Sequence, residues 1–225
     1  MDRLEEALST YDKIIEMSPK LSEAWNNKGT VLYDLGRYEE AISAYDRSFE
    51  LDDKKSILAL TNKAKALGDG GKTRESLAMF DQVLQMDPEN FYAVLGRAKA
   101  LEELLQSDEA IQIYNKVLNI DADNIEALVG KGISLMDIEK YEEALDCFEK
   151  ALNIDPTDEL AWYNKACVLS LLNKKDDALD ALTVATSIEP KNLIDLVDEN
   201  DFGSIRTTER FKKLLEQGVN SREGI

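Results

Sequence analysis

The residues able to carry chemistry in this 225-residue chain are few. There is no histidine, which removes the commonest general base and metal ligand. The two thiols, Cys147 and Cys167, stand on apolar helical patterns, where a free cysteine behaves as a small hydrophobe. Two thiols alone make neither a disulfide framework nor a zinc site, and they suit a reducing compartment. The segment "GDGGKT" (68–73) ends in Lys-Thr but lacks the G-x-x-x-x-G-K spacing and the preceding strand of a phosphate loop. Carboxylates abound, but as charge runs on helical faces, the usual signature of a solvated surface. The expectation is no catalytic site, no metal and no cofactor, so the chain reads as a non-enzyme.

Charge and composition narrow the partners. The formal net charge is −18, with 45 acidic against 27 basic side chains. Such a chain repels phosphate backbones and anionic membrane surfaces, so the expected partner is a protein, basic or amphipathic, and neither nucleic acid nor membrane. No apolar run approaches the ~20 residues of a membrane span. The opening "MDRLEEALSTYDKIIEM" has no signal-peptide core, and the expected location is cytoplasmic.

The elements that would position any site follow from a period of 34. Pro19, Pro88, Pro156 and Pro190 keep this phase if one residue is inserted within "LDDKKSI" (51–57). With Trp25 placed fourth, full units begin at Ser22, Ile57, Phe91, Ile125 and Glu159. The third position is always alanine, the eighth always small (Gly29, Ala64, Ala98, Gly132, Ala166) and the eleventh always leucine. The twentieth is small again, and the twenty-fourth is large: Tyr45, Phe80, Tyr114, Phe148 and Leu182. Positions 3, 4, 7, 8 and 11 share one helical face, and positions 20, 21, 24, 27 and 28 make the matching face of a second helix. The small residues permit close approach and the large ones fill the space between helices. A turn near positions 14–17, as in "LGRY" and "GGKT", separates the two, and Asp-Pro ends the second.

This pattern resembles the tetratricopeptide repeat, a helix-turn-helix unit with a W–LG–Y–A–F–A–P signature. The resemblance implies an all-α, right-handed α-solenoid of stacked antiparallel helix pairs, with repeats at 22–56, 57–90, 91–124, 125–158 and 159–192. Residues 1–21 match a second helix alone, leaving Leu4, Ala7, Leu8 and Tyr11 without their partner helix. That edge is either a cut through a longer array or a surface for self-association. Residues 193–225 read as a degenerate helical cap, with apolar Leu193, Leu196, Val197, Ile205, Phe211, Leu214 and Leu215 and a basic cluster of Arg206, Arg210, Lys212 and Lys213. One departure from the signature recurs: position 7 is a base in every unit (Lys28, Lys63, Arg97, Lys131, Lys165), either a packing device or a ladder for an acidic partner.

In the family the first helices line a concave groove through positions 2, 5, 6, 9, 12 and 13. The resemblance implies a partner-binding groove drawn from Asn27, Asn62, Lys65, Tyr92, Leu95, Lys99, Val129, Ile133, Met136, Leu160, Tyr163, Asn164 and Leu171. The position-6 amides Asn27, Asn62 and Asn164 would bond a peptide backbone, or join helix to helix. The run from Tyr92 to Leu171 reads as an apolar wall suited to an amphipathic helix, unless those side chains touch a neighbouring helix or the chain's own C-terminal segment. A two-carboxylate clamp for a partner's C-terminus is not matched, since of its positions only Asn62 fits. The expected function is a scaffold binding a peptide or helix, with two alternatives: an array assembling through its terminal helices, or a regulatory fragment of a larger protein. If the wall is open, Ile133→Asp or Tyr163→Asp should abolish binding and leave the fold intact.

Overall fold

The structure is a computed structural model that describes residues 2–52, 56–188 and 202–215. Among these residues there are eleven long helices: α1 (Asp2–Met17), α2 (Ser22–Asp34), α3 (Tyr38–Leu51), α4 (Ile57–Asp69), α5 (Thr73–Met86), α6 (Phe91–Glu103), α7 (Ser107–Ile120), α8 (Ile125–Asp137), α9 (Tyr141–Ile154), α10 (Glu159–Leu171) and α11 (Lys175–Ile188). A shorter helix covers 209–215. The chain divides into two compact units, Met1–Gln106 and Ser107–Ile225. Of the expected insertion at 51–57, residues 53–55 lie outside the described residues, as do Leu193, Leu196 and Val197 of the expected cap.

Each turn from first to second helix is built identically. The N–H of position 16 donates to the carbonyl of position 11, and that of position 15 to the carbonyl of position 12. Examples are Arg37 to Leu32 with Gly36 to Tyr33, and Lys140 to Leu135 with Glu139 to Met136. This Schellman closure requires left-handed backbone at position 15. Glycine supplies it at Gly36 and Gly71, but Leu105 (φ 57°), Glu139 (φ 60°) and Asn173 (φ 58°) adopt it with a side chain attached. The sequence reading expected glycine to end these helices; the hydrogen bonds, not the residue type, impose the turn. Leu105→Gly and Glu139→Gly are each expected to raise stability by about 1 kcal/mol in urea titration, and Asn173→Gly by less, because asparagine tolerates this conformation.

The return turns are capped by side chains. Asn90, Asn124 and Asp158 accept from the N–H three residues on, at 3.1, 2.9 and 2.7 Å, and so start α6, α8 and α10. Asp155 ahead of Pro156 accepts from the Thr157 hydroxyl and N–H, and these bonds hold its carboxyl below the usual range. The tryptophans belong to the same turns. Trp25 Nε1 donates to the Pro19 carbonyl at 3.1 Å, and Trp162 Nε1 to that of Pro156 at 2.8 Å. Both are scaffold.

In the first unit the core runs through Val31, Leu32, Ala41 and Tyr45 and then through Leu60, Phe80 and Val83. In the second, one cluster is built on Leu128, Phe148 and Val168 and another on Tyr163, Leu169 and Leu182. The large residue at position 24 takes one of two directions. Where position 8 is glycine, the ring leans back onto it: an added Cβ on Gly29 would lie 2.6 Å from Tyr45, and one on Gly132 2.5 Å from Phe148. Where position 8 is alanine (Ala64, Ala98), the ring leans forward onto a glycine at position 6 of the next repeat. Phe80 then lies against Gly96, and Tyr114 against Gly130.

The position-7 bases are also structural. Four of the five reach back to the acid that follows the aromatic of the preceding second helix: Lys28 to Asp12 at 2.6 Å, Lys63 to Asp46 at 2.5 Å, Arg97 to Asp81 at 2.6 Å and Lys165 to Glu149 at 3.0 Å. Lys28 and Lys165 also lie over the rings of Trp25 and Trp162. The fifth acid slot holds Asn115, and Lys131 has no ion pair among the described residues. Asn115→Asp is therefore expected to add about 0.5 kcal/mol at low salt, an increment lost in 1 M NaCl; urea melts at the two salt concentrations measure it.

Candidate functional site: the first-helix faces

In the first unit α2, α4 and α6 lie side by side, and inner positions of neighbouring repeats meet. Asn62 Nδ2 on α4 donates to Asn26 Oδ1 on α2 at 3.2 Å, and Asn26 Nδ2 donates to Asn27 Oδ1 at 3.4 Å. Further along, the Tyr33 hydroxyl donates to Asp69, which also receives Lys99 Nζ at 3.2 Å. Lys65 Nζ sits 5.0 Å from the centre of the Tyr33 ring. Burial and the bond to Asp69 push the Tyr33 phenol well above its ordinary value, so it remains a donor at any physiological pH. The expected site residues Asn27, Asn62, Lys65 and Lys99 thus share one polar ribbon. Tyr33, Asn26 and Asp69 join them, legible only as inner-face positions. Beside the ribbon, position 2 offers Leu58, 60% exposed, and Tyr92, 77% exposed. Leu95, expected on the same wall, is buried.

The second unit differs from the sequence expectation. Val129 (5% exposed), Tyr163 (7%) and Asn164 (8%) are interior. Val129 packs in the cluster around Phe148. Ile133 is half-buried against that cluster, and Met136 touches both clusters of the unit. Leu171 is half-buried, and only Leu160 is widely exposed. For Val129 and Ile133 the neighbours are those of the Phe148 cluster; for Tyr163 the cover is the chain's own C-terminal segment. Phe202 stacks edge-on against Tyr163 at 5.6 Å and beside Phe211 at 5.8 Å, and the two serine hydroxyls of Ser170 and Ser204 lie 2.8 Å apart. Ile205 and Leu214 complete the cover. Ser204 stands 34 residues after Ser170, one period further along the chain.

Asn164 corrects a second expectation. Its Nδ2 donates to the Leu160 carbonyl of its own helix at 2.8 Å, which is a structural bond. Gly occupies position 6 wherever a ring leans forward, and asparagine occupies it elsewhere. The recurrence of Asn27, Asn62 and Asn164 therefore follows ring direction, a signal present in the sequence as the alternation with Gly96 and Gly130. Within the basic cluster, Arg210 reaches Asp180 at 2.6 Å and Thr183 at 3.2 Å, so it binds an acid and a hydroxyl of this chain's own α11. Among the described residues no group of three or more metal-ligating side chains comes together, and no helix is long and apolar enough to cross a membrane.

Tetratricopeptide repeat models match residues 20–89, 69–131, 125–158 and 147–180, most of the chain in overlapping steps. The chain belongs to the tetratricopeptide repeat family. Solved structures agree on the fold. A tetratricopeptide repeat protein from Parabacteroides merdae is 19% identical, with a TM-score of 0.70 over 96% of this chain and 93% of its own. MamA (41-end) from Desulfovibrio magneticus RS-1 is 18% identical, with a TM-score of 0.64 over 75% and 94%. YrrB, described as a tetratricopeptide repeat protein with an unusual peptide-binding site, is 23% identical, with a TM-score of 0.58 over 83% and 95%. No curated protein matches the sequence. The all-α tetratricopeptide solenoid expected from the 34-residue period is the fold of this chain.

Proposed function

We propose that this tetratricopeptide repeat protein is a non-enzymatic scaffold for protein–protein interaction, and that the first-helix face of its first unit receives an extended peptide. The observation that carries this reading is the polar ribbon of α2, α4 and α6 with exposed apolar side chains beside it. Amides at Asn27 and Asn62 offer donors and acceptors to a peptide backbone, and Tyr92 and Leu58 offer apolar purchase to its side chains. Glu23, Asp34 and Asp69 stand against Lys65 and Lys99 on this face, which favours a basic peptide. The family supports the reading, as does the peptide-binding site named for YrrB. The second unit contributes less, because its own C-terminal segment covers α10.

The double variant Lys65→Glu/Tyr92→Asp tests it. Both side chains are exposed, so the melting temperature is expected to stay within about 2 °C. Capture of a basic partner peptide selected from a peptide library should fall at least tenfold, and unchanged capture would sink the proposal. The alternative is end-to-end assembly through the N-terminal helix and the C-terminal segment. Light scattering over a concentration series separates the two: the scaffold reading expects a monomer.

A further inference from the structure

The inner face of the first unit has two unlike ends. At the return-turn end, position 2 is Leu58 on α4 and Tyr92 on α6, both exposed, and the Phe91 ring stands edge-on to Tyr92 at 6.4 Å. Only α2 breaks this apolar end, with Glu23. At the opposite end position 13 is acidic in all three helices: Asp34, Asp69 and Glu103, the first and last exposed. The three helices also end there, and helix C-termini add negative potential. The bases that follow these helices, Arg37 and Lys72, already hold Glu40 and Glu39. Lys99 reaches Asp69 at 3.2 Å, whereas Asp34 and Glu103 have no ion pair among the described residues. Between the ends runs the amide chain of Asn62, Asn26 and Asn27, in which Asn62 Oδ1 and Asn27 Nδ2 make no hydrogen bond among the described residues. One acceptor and one donor are thus left for a peptide backbone.

We infer that the peptide taken by this face carries one apolar side chain and, four residues away, one lysine or arginine. The inference rests on the extended-peptide reading above. The face itself sets the spacing. Leu58 and Asp69 are eleven residues apart on α4, as are Tyr92 and Glu103 on α6, which is about 16 Å at the helical rise. An extended chain advances about 3.3 Å per residue, and alternate side chains point to the same side. Separations of four and six residues therefore present both side chains to the helices, and they cover about 13 and 20 Å. The longer overshoots the acids. The shorter falls about 3 Å short, a gap that the stem of lysine or arginine closes. Asn62 stands four residues from Leu58, about 6 Å along α4, so the amides meet the backbone about two residues from the apolar side chain. An acidic residue in place of the base is rejected, because it faces Asp34, Asp69 and Glu103.

The test selects a random twelve-residue peptide library on the full chain and reads the bound fraction by sequencing. Pairs of a large apolar residue with lysine or arginine are expected at a separation of four, in one order along the peptide, about fivefold above separations of three and eight. The best selected peptide then meets two variants of the chain. Asp34→Asn/Glu103→Gln changes exposed sites and should keep the melting temperature; Asp69 stays, since it holds Tyr33 and Lys99. This variant should bind the peptide about fivefold more weakly, but should bind a peptide with its base replaced by glutamine within about twofold of the parent chain. Leu58→Ser should show the same coupling to the peptide's apolar residue, replaced by serine. No preferred spacing, a preferred spacing other than four, or equal losses for both peptides of a pair would overturn the motif. The chain with Lys65→Glu/Tyr92→Asp separates the two readings. If it loses the selected peptides while the spacing fails, the inner-face site stands without this motif; if it keeps them, both are wrong.

Discussion

Tyr163→Asp is expected to cost about 4 kcal/mol and to melt the C-terminal end of the second unit. The ring is removed from a buried cluster with Phe202, Phe211 and Leu182, and a carboxylate is left with little access to water. Urea titration followed by Trp162 fluorescence, in a Trp25→Phe background, reads the loss directly, because Trp162 packs against the same cluster. Leu160→Asp, one turn earlier on α10 and 52% exposed, is the control, with a change under about 0.5 kcal/mol. A Tyr163→Asp chain of unchanged stability would return Tyr163 to the open wall where the sequence placed it.

The second large effect concerns ring direction. Gly132→Ala places a methyl 2.5 Å from Phe148, and overpacking of this kind costs about 3 kcal/mol, offset by about 1 kcal/mol of helix propensity, a net loss of about 2 kcal/mol. The first unit indicates the remedy. Phe80, opposite Ala64, leans forward onto Gly96. Adding Asn164→Gly should therefore open the forward position for Phe148 and recover more than half of the loss. A double-mutant cycle by denaturant melt measures the coupling. Strict additivity would mean that the two directions are not alternatives.

The repeat scaffold was legible because close packing tolerates few substitutions. Alanine at position 3, a small residue at 8 and leucine at 11 each fill a volume set by a neighbour, so they recur in phase. The candidate site was legible only in outline, since inner-face positions follow from the period but their exposure does not. Val129, Tyr163 and Asn164 occupy inner positions and are buried: Tyr163 packs in a ring cluster with Phe202, a residue with no place in the repeat signature, Val129 packs in the cluster around Phe148, and Asn164 turns its amide back to the Leu160 carbonyl of its own helix. The base at position 7 was visible in five copies. Its acid was equally visible, one residue after the aromatic in Asp12, Asp46, Asp81 and Glu149, but a pair only becomes evident when the second helix of one repeat meets the first helix of the next.

These base–acid pairs join neighbours and never the two helices of one repeat. A linear array with such links behaves as a one-dimensional chain of coupled units, in which the coupling at each boundary decides whether it melts as a whole or in pieces. Four boundaries carry the ionic link; the one between α7 and α8, where Lys131 faces Asn115 in sequence, does not. That boundary lacks this increment of coupling, about 0.5 kcal/mol at low salt. A single amide in place of a carboxylate thereby singles out one joint of the array, and Asn115→Asp is expected to make the joints alike.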